Sequence, residues 1–296
     1  MQIGRVVLDA ESQQIGNIHE LPLSQAYNYC LSVPRAPAGN MDRQQMQISI
    51  DNVQRTLMAG NSTSIGQRLA EIRRDIAAAE RRFGRQPGSV HLLAVSKTQP
   101  VAAIREACAH GQQAFGESYL QEAAAKQAQL ADTPIEWHFI GPIQANKTKS
   151  IAAGFDWVHS VDRRRVAERL SRQRPEQLQP LNVLLQGNIS GETSKSGVTP
   201  DEVPALAAAV AELPRLRLRG LMCIPAPCDD FERQRIPFRR LRELFEALRE
   251  QGYDLDTLSM GMSGDLEAAI AEGATIVRLG TAIFGPRPSP DSNKGR

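Results

Sequence analysis

The chain of 296 residues lacks the features that mark membrane proteins, secreted proteins and metal sites. No apolar stretch approaches the ~20 residues that a membrane-spanning helix needs. The sequence holds four cysteines, and they show neither a paired metal-type spacing nor a preceding secretory signal (Cys30, Cys108, Cys223 and Cys228). We therefore expect a protein of the cytoplasm, a reducing compartment, with no metal site.

Net charge is also small, at a formal +2 at pH 7, so no bulk attraction to nucleic acid or to an anionic membrane is expected. The arginine-rich runs, such as residues 163–165, are typical of solvated helix faces. The chain also lacks a glycine-rich dinucleotide fingerprint, which argues against an open doubly wound sheet.

Residues 1–57 differ in composition from the rest of the chain. They are rich in Gln, Asn and Ser, contain Pro34, Pro37 and Gly39, and show no sustained periodicity. We interpret them as a poorly ordered extension or a mis-assigned start, with Met58 as the natural alternative start. A small folded accessory element is the competing interpretation. The expected units are therefore an extension over 1–57, one domain over 58–287 and a polar tail over 288–296.

From Ser64 onwards, the pattern predicts one helix and then a regular alternation of strands and helices. Ile65, Leu69, Ile72 and Ile76 recur at helical spacing. Eight apolar segments, most of them followed by a helical pattern, then begin at residues 91, 114, 137, 157, 181, 218, 257 and 276. This repeat predicts a single (β/α)8 TIM barrel with an extra N-terminal helix. An open doubly wound sheet is the alternative.

Lys97 is the first candidate functional residue. It follows a continuous apolar run, is expected to end the first strand, and lies just before Pro100. At such a position, burial would lower the pKa of the ammonium group and produce an amine able to condense with an aldehyde. The alternative is a lysine at a strand end that points into water.

Two segments near the end of the chain are candidates for phosphate binding. One contains Gly261, Ser263 and Gly264 after the seventh strand, and the other contains Gly280 and Thr281 after the eighth. Loops after these two strands commonly bind phosphate in TIM barrels. Glycines let the backbone approach an anion closely, and the hydroxyls can donate to it. Together with Lys97, these turns indicate a phosphorylated aldehyde held at both ends.

Five runs of the sequence are similar to one known family. They are residues 93–98 (LAVSKT), 137–147 (WHFIGPIQANK), 190–197 (SGETSKSG), 261–265 (GMSGD) and 280–285 (GTAIFG). Over residues 64–287 the chain resembles the pyridoxal-phosphate homeostasis family, whose barrel is similar to that of alanine racemases but lacks their second domain. The resemblance implies that Lys97 holds pyridoxal 5′-phosphate as a Schiff base. It also implies that Ser263, Gly280 and Thr281 surround the phosphate and that Arg278 lies near the pyridine nitrogen.

Arg278 bears on the chemistry, because a guanidinium stays protonated and can only donate hydrogen bonds. A pyridine nitrogen facing it would remain an unprotonated acceptor, and such a ring is a poor electron sink for carbanion chemistry. The alternative for Arg278 is a structural salt bridge.

Four other residues are singled out by the sequence. Ser118 stands where the family commonly has Asn, so a cofactor contact by that amide is in doubt. Lys195 is either a secondary point of aldehyde capture or a solvated loop lysine. His138 and His159 are either general bases or hydrogen-bonded histidines inside the barrel.

Three functions fit these residues. The first is a monomeric protein that buffers pyridoxal phosphate or delivers it to apo-enzymes without robust turnover. The second is a racemase-like enzyme, which needs a second base, and only Tyr119 among the four tyrosines is expected at the working face. The third is a class I aldolase, whose lysine usually comes from a later strand.

Overall fold

The computed structural model describes residues 63–191 and 196–286. The predicted extension over 1–57, the predicted tail over 288–296 and Lys195 lie outside the described residues.

The described residues contain eight parallel strands that close into a barrel in chain order, with β8 pairing with β1. The strands are β1 His91–Val95, β2 Ala114–Glu117, β3 Glu136–Phe139, β4 Trp157–Val161, β5 Leu181–Gln186, β6 Leu216–Met222, β7 Thr257–Ser259 and β8 Ile276–Leu279. The predicted (β/α)8 barrel is confirmed.

The helices of the described residues surround this barrel. They are α1 Ile65–Arg82, α2 Val101–Ala109, α3 Leu120–Gln129, α4 Thr148–Gly154, α5 Arg164–Gln173, α6 Val203–Ala211, α7 Phe231–Glu250, α8 Leu266–Ala271 and α9 Thr281–Phe284, with short 3₁₀ turns at Ala145–Lys147 and Pro200–Glu202. No helix in these segments is long and apolar enough to cross a bilayer.

The predicted N-terminal helix is α1, and its sequence explains both its start and its packing. Ser64 and Gln67 form a reciprocal capping box that satisfies backbone N–H groups at the start of the helix. Ile65, Leu69 and Ile72 lie on its buried face. This face packs against α2, α8 and α9. Because α9 has only four residues, α1 covers the seam where β8 meets β1.

Most residues of the strands are buried, as their apolar sequences predict. All five residues of β4 are buried, and so are all four of β8. Fully burying an aliphatic side chain stabilises the fold by about 1.5–3 kcal/mol. Strands of this kind are covered by helices on the outside and by other strands across the barrel.

The largest difference from the sequence prediction is the start of α7. The pattern predicts a start at Phe238, after Pro237, but the helix begins at Phe231 and contains that proline. Asp230 caps the helix by accepting a hydrogen bond from the backbone N–H of Arg233. Burial of Phe238 and the apolar positions after it accounts for the tolerance of Pro237 inside the helix.

Candidate functional site

The predicted site residues lie on or just after three neighbouring strands, at the carboxyl end of the barrel. Lys97 is half-buried and lies two residues beyond the last residue of β1, not at its end as predicted. Arg278 lies within β8, Gly280 and Thr281 follow it directly, and Ser263 lies in the turn after β7. Since β8 pairs with both β7 and β1, the structure brings the three segments together at the carboxyl end of the barrel.

The residues of β1, the strand that precedes Lys97, point alternately to the inside and the outside of the barrel. Ser96 points outward, because its hydroxyl donates to the buried carboxylate of Glu117 at 2.7 Å. Leu93 is the register partner of Arg278, whose side chain lies inside the barrel. Paired residues of neighbouring parallel strands share a face, so Leu93 lies on the same side as Arg278, and Lys97 follows in the turn between β1 and α2.

Gly280 brings the turn after β8 close to β1. A Cβ atom at this position would lie 3.1 Å from the carbonyl oxygen of Val95 and 3.4 Å from its Cβ. This contact leaves little room for a side chain, which explains the glycine. The backbone of the predicted phosphate turn therefore passes beside β1 two residues before Lys97.

The turn after β7 is held in a defined conformation. Gly261 has a φ of +99°, and a Cβ atom there would lie 2.6 Å from the Cβ of Ala269. The backbone N–H of Met262 donates to the carboxylate of Asp265 at 2.6 Å. Burial raises the pKa of the Asp265 carboxyl, opposed by this backbone hydrogen bond. Ser263 and Gly264 form the exposed tip of the turn, where they can reach a ligand.

Arg278 is buried and held by two acceptors. Its Nη1 donates to the hydroxyl of Ser259 at 2.7 Å, and its Nη2 donates to the carbonyl of Cys223 at 2.8 Å. Burial lowers the pKa of the guanidinium, with an opposing effect of Asp265. Among the described residues no carboxylate lies within salt-bridge distance of Arg278, so the structural salt bridge considered from the sequence is not seen.

His138 and His159 are hydrogen-bonded to each other inside the barrel. Their ring nitrogens, Nδ1 of His138 and Nε2 of His159, lie 2.9 Å apart. His138 Nε2 lies 2.7 Å from Glu136 Oε1, and His159 Nδ1 lies 2.9 Å from Ser259 Oγ. We call the series Glu136, His138, His159, Ser259 and Arg278 the inner chain. Sequence reasoning missed Ser259, although the strand alternation could have placed it inside the barrel.

A second buried polar group, also missed from the sequence, lies outside the barrel wall beneath α3. Lys126 donates to Glu117 at 2.8 Å, to the carbonyl of Ser96 at 2.7 Å and to Glu122. We call Ser96, Glu117, Glu122 and Lys126 the outer cluster. Glu122 also accepts from the backbone N–H of Thr98 at 2.6 Å. The Glu122–Lys126 spacing of four residues on a helix was the available signal.

Thr98, the residue after Lys97, has an unusual backbone conformation. Its φ is +64°, and it is the single non-glycine residue with positive φ in the described segments. Such a conformation is a genuine outlier for a β-branched residue, and strain of this kind clusters at functional sites. The bond from Thr98 to Glu122 compensates for this strain and links the outer cluster to the Lys97 segment.

Comparison with known proteins first defines the class. Residues 67–288 match the family described as "Alanine racemase, N-terminal domain". The solved structure of alanine racemase from Corynebacterium glutamicum is 21% identical with a TM-score of 0.53, covering 74% of this chain and 62% of that one. At this identity the likeness concerns the fold alone: an alanine racemase-type barrel.

More similar relatives narrow the class. The pyridoxal phosphate homeostasis protein of Pseudomonas aeruginosa is 60% identical over 225 residues, which are 76% of this chain and 96% of that protein. The protein of the same name from Escherichia coli K12 is 55% identical, covering 75% of this chain and 97% of the relative. The chain belongs to the pyridoxal phosphate homeostasis protein family. The structure of PipY from Synechococcus elongatus with PLP bound is 39% identical, with a TM-score of 0.66, and covers 75% and 100% of the two chains.

Proposed function

We propose that this protein binds pyridoxal 5′-phosphate through Lys97 and serves in intracellular cofactor homeostasis, by buffering the cofactor or delivering it to apo-enzymes in the cytoplasm. Residues 58–287 form the binding unit in this proposal, and the protein acts as a monomer. When bound, the cofactor supplies an aldehyde that an amine can capture.

One observation supports the proposal: β8, which contains Arg278 and leads to Gly280, pairs with β1, the strand that leads to Lys97. The residue types match the three parts of the cofactor. Lys97 offers an amine to the aldehyde, and Arg278 offers a donor to the ring nitrogen. Ser263 and Thr281 offer hydroxyls to the phosphate, beside the close backbone approach at Gly280.

The same residues favour binding over turnover. Arg278 can only donate hydrogen bonds, so a ring nitrogen facing it stays an unprotonated acceptor. A pyridine ring in that state is a poor electron sink for carbanion chemistry. Two-base racemisation needs a second base, and of the described tyrosines only Tyr119 lies at the carboxyl end of the strands, with 56% of its surface exposed. We therefore propose that the protein lacks robust racemase activity.

The test of Lys97 is an absorption spectrum. Protein incubated with pyridoxal phosphate and then desalted is expected to show a near-visible band of the covalently held cofactor. Lys97→Ala is expected to lose this band, because the amine is removed. Lys149→Ala is the matched control, because that lysine is exposed on α4, and its band is expected to remain. An unchanged spectrum in Lys97→Ala would refute the assignment.

The proposed phosphate contacts and the lack of turnover have separate tests. Ser263→Ala combined with Thr281→Ala is expected to weaken retention of the cofactor, since two hydroxyl donors are lost. Unaltered affinity would count against this phosphate site. Incubation with L- or D-alanine is expected to give no measurable racemisation, and rapid turnover would favour the enzyme instead.

A further inference from the structure

The inner chain runs along the barrel interior from one mouth to the other. It begins at Glu136, the first residue of β3, whose side chain is 50% exposed. It passes through His138 and His159, which are 2% and 0% exposed, and through Ser259, which is fully buried. It ends at Arg278, on the side of the proposed cofactor site. Each link measures 2.7–2.9 Å, within hydrogen-bond range.

With Glu136 ionised and both imidazoles neutral, one direction follows for every hydrogen bond of the inner chain. The Arg278 guanidinium can only donate, so Ser259 Oγ accepts from it. In this arrangement the Ser259 hydroxyl donates its own hydrogen to His159 Nδ1. His159 then carries its hydrogen on Nε2 and donates to His138 Nδ1. His138 donates from Nε2 to the ionised carboxylate of Glu136. All five groups are satisfied with both imidazoles neutral.

The electrostatic setting agrees with this arrangement. The pKa of His159 lies well below its ordinary value because the ring is buried, with His138 and Arg278 adding to the effect. The hydrogen bond from His138 lowers the pKa of Glu136, against the effect of burial. The charged or titratable groups that face His159 are therefore His138 on β3 and Arg278 on β8, together with the Ser259 hydroxyl on β7.

The far end of the inner chain opens into a cavity at the amino end of the barrel. This cavity has a volume of about 450 Å³, and Glu136, His138, Trp157, Arg219 and Asp256 are among its lining residues. The Glu136 side chain is therefore in contact with solvent, whereas the two imidazoles are buried.

We propose that Ser259, His159 and His138 are positioning residues that hold Arg278 in one orientation, with Glu136 as the anchor of the inner chain at the opposite mouth. The role of Arg278 toward the ring nitrogen rests on the proposed function. The orientation of Arg278 itself is a property of the cofactor-free protein. In this arrangement each link pairs one donor with one acceptor.

Nuclear magnetic resonance of the cofactor-free protein tests the inner chain directly. At pH 7.5, the ring nitrogen shifts of His138 and His159 are expected to show neutral imidazoles protonated at Nε2. Ser259→Ala is expected to speed hydrogen exchange of the Arg278 side chain and to shift the Nδ1 signal of His159. A His159 ring protonated at Nδ1, or exchange unchanged in Ser259→Ala, would overturn the proposal.

Two variants at the exposed end guard against a simple folding defect. Glu136→Ala removes the anchor and is expected to increase exchange at His138 Nε2, whereas Glu136→Gln keeps an acceptor and is expected to restore slow exchange. Equal behaviour of the two variants would contradict an anchoring role. Ser160→Ala is the matched control in the barrel wall, since Ser160 is buried and bonds to the carbonyl of Gly141 outside the inner chain.

Affinity for pyridoxal phosphate gives the second readout. Ser259→Ala is expected to weaken binding about tenfold, the scale of a lost hydrogen bond to a charged group, while Ser160→Ala stays within about twofold of the unmodified protein. Equal affinity of Ser259→Ala and the unmodified protein would overturn the positioning role. Failure of the unmodified protein to bind would refute the proposed function instead, while the magnetic resonance result would still decide on the inner chain.

Discussion

The inner chain and the outer cluster are both buried polar networks, and both end at segments of the proposed site, but they are built differently. The inner chain has a charged side chain at each end and two imidazoles between them. The outer cluster packs an ammonium against two carboxylates, with Glu117 fully buried and Lys126 5% exposed. The first network depends on hydrogen-bond direction and the second on charge balance.

The comparison extends to their response to pH. The pKa of His159 is lowered, so its contribution to stability is present above about pH 6.5 and is lost as the pH falls toward the folded-state pKa. The pKa of Glu117 is raised by burial, against the effect of hydrogen bonds from Lys126 and Ser96. Its contribution is fully present below the ordinary pKa of a glutamate and is lost as the pH rises through the folded value.

The two networks also support different parts of the site. The outer cluster binds the backbone on both sides of Lys97, through the Ser96 carbonyl and the Thr98 N–H. The inner chain supports the side chain of Arg278. The comparison therefore indicates that the proposed amine and ring-nitrogen contacts are held independently, and variants can separate them.

The largest expected effect on stability comes from removing the cation of the outer cluster. Lys126→Met is expected to destabilise the protein by about 3–5 kcal/mol, because it leaves the buried Glu117 carboxylate without its cation. Denaturant unfolding at neutral pH measures this loss. Lys149→Met, at an exposed lysine, is the control and is expected to change stability little. A loss below 1 kcal/mol in Lys126→Met would show that charge balance does not hold this cluster together.

The next largest effect is expected on the pH dependence of protein stability, through His159 of the inner chain. Between about pH 6.5 and 5 the unfolding free energy is expected to fall by at most about 1.4 kcal/mol for each pH unit, because the folded pKa of His159 lies well below 6.5. His159→Phe removes this group and is expected to flatten that part of the profile while lowering stability at neutral pH. A profile equally steep in both proteins would assign the acid response to other groups.

A smaller effect of opposite sign is expected at the strained residue between the two networks. Thr98→Asn is expected to stabilise the protein by about 1 kcal/mol, because asparagine tolerates positive φ better than a β-branched residue. Thermal or denaturant unfolding measures the gain. A clear loss of stability would mean that the Thr98 side chain makes a contribution that exceeds its backbone strain.

The smallest effect is expected at an exposed ion pair that belongs to neither network. Arg82 and Glu267 lie 2.7 Å apart with side chains 63% and 56% exposed. Glu267→Gln is expected to cost roughly 0.5 kcal/mol or less, since water and salt screen such a pair. A cost as large as that of Lys126→Met would remove the contrast between buried and exposed charges.

Much of the barrel was predictable because the sequence shows the apolar spacing of helices and the apolar runs of buried strands. The isoleucines and leucine of α1 recur at helical spacing, and the strands are apolar runs between turns. The start of α7 was missed because Pro237 normally ends a helix, whereas burial of Phe238 and Leu241 outweighs that local preference. Strand ends were also displaced: β6 begins at Leu216 and not at the predicted Leu218.

The site was predictable only in part. Lys97, Arg278 and Gly280 were singled out because strand ends and glycine turns leave local signals, and their roles in binding the cofactor are proposals. Of the inner chain, His138 and His159 were singled out, but linking them to Ser259 and Arg278 requires the three-dimensional arrangement of strands that are distant in sequence. The outer cluster likewise depends on α3 folding back over β2, which brings Lys126 to Glu117.

The most direct measurement of the central claim is reductive trapping. Protein loaded with pyridoxal phosphate is treated with sodium borohydride, which fixes the cofactor to the amine that holds it, and the modified peptide is located by mass spectrometry. The expected result is a single stoichiometric modification on Lys97. Modification of Lys195 or another lysine in place of Lys97, or no trapped cofactor in protein that has bound it, would contradict the account.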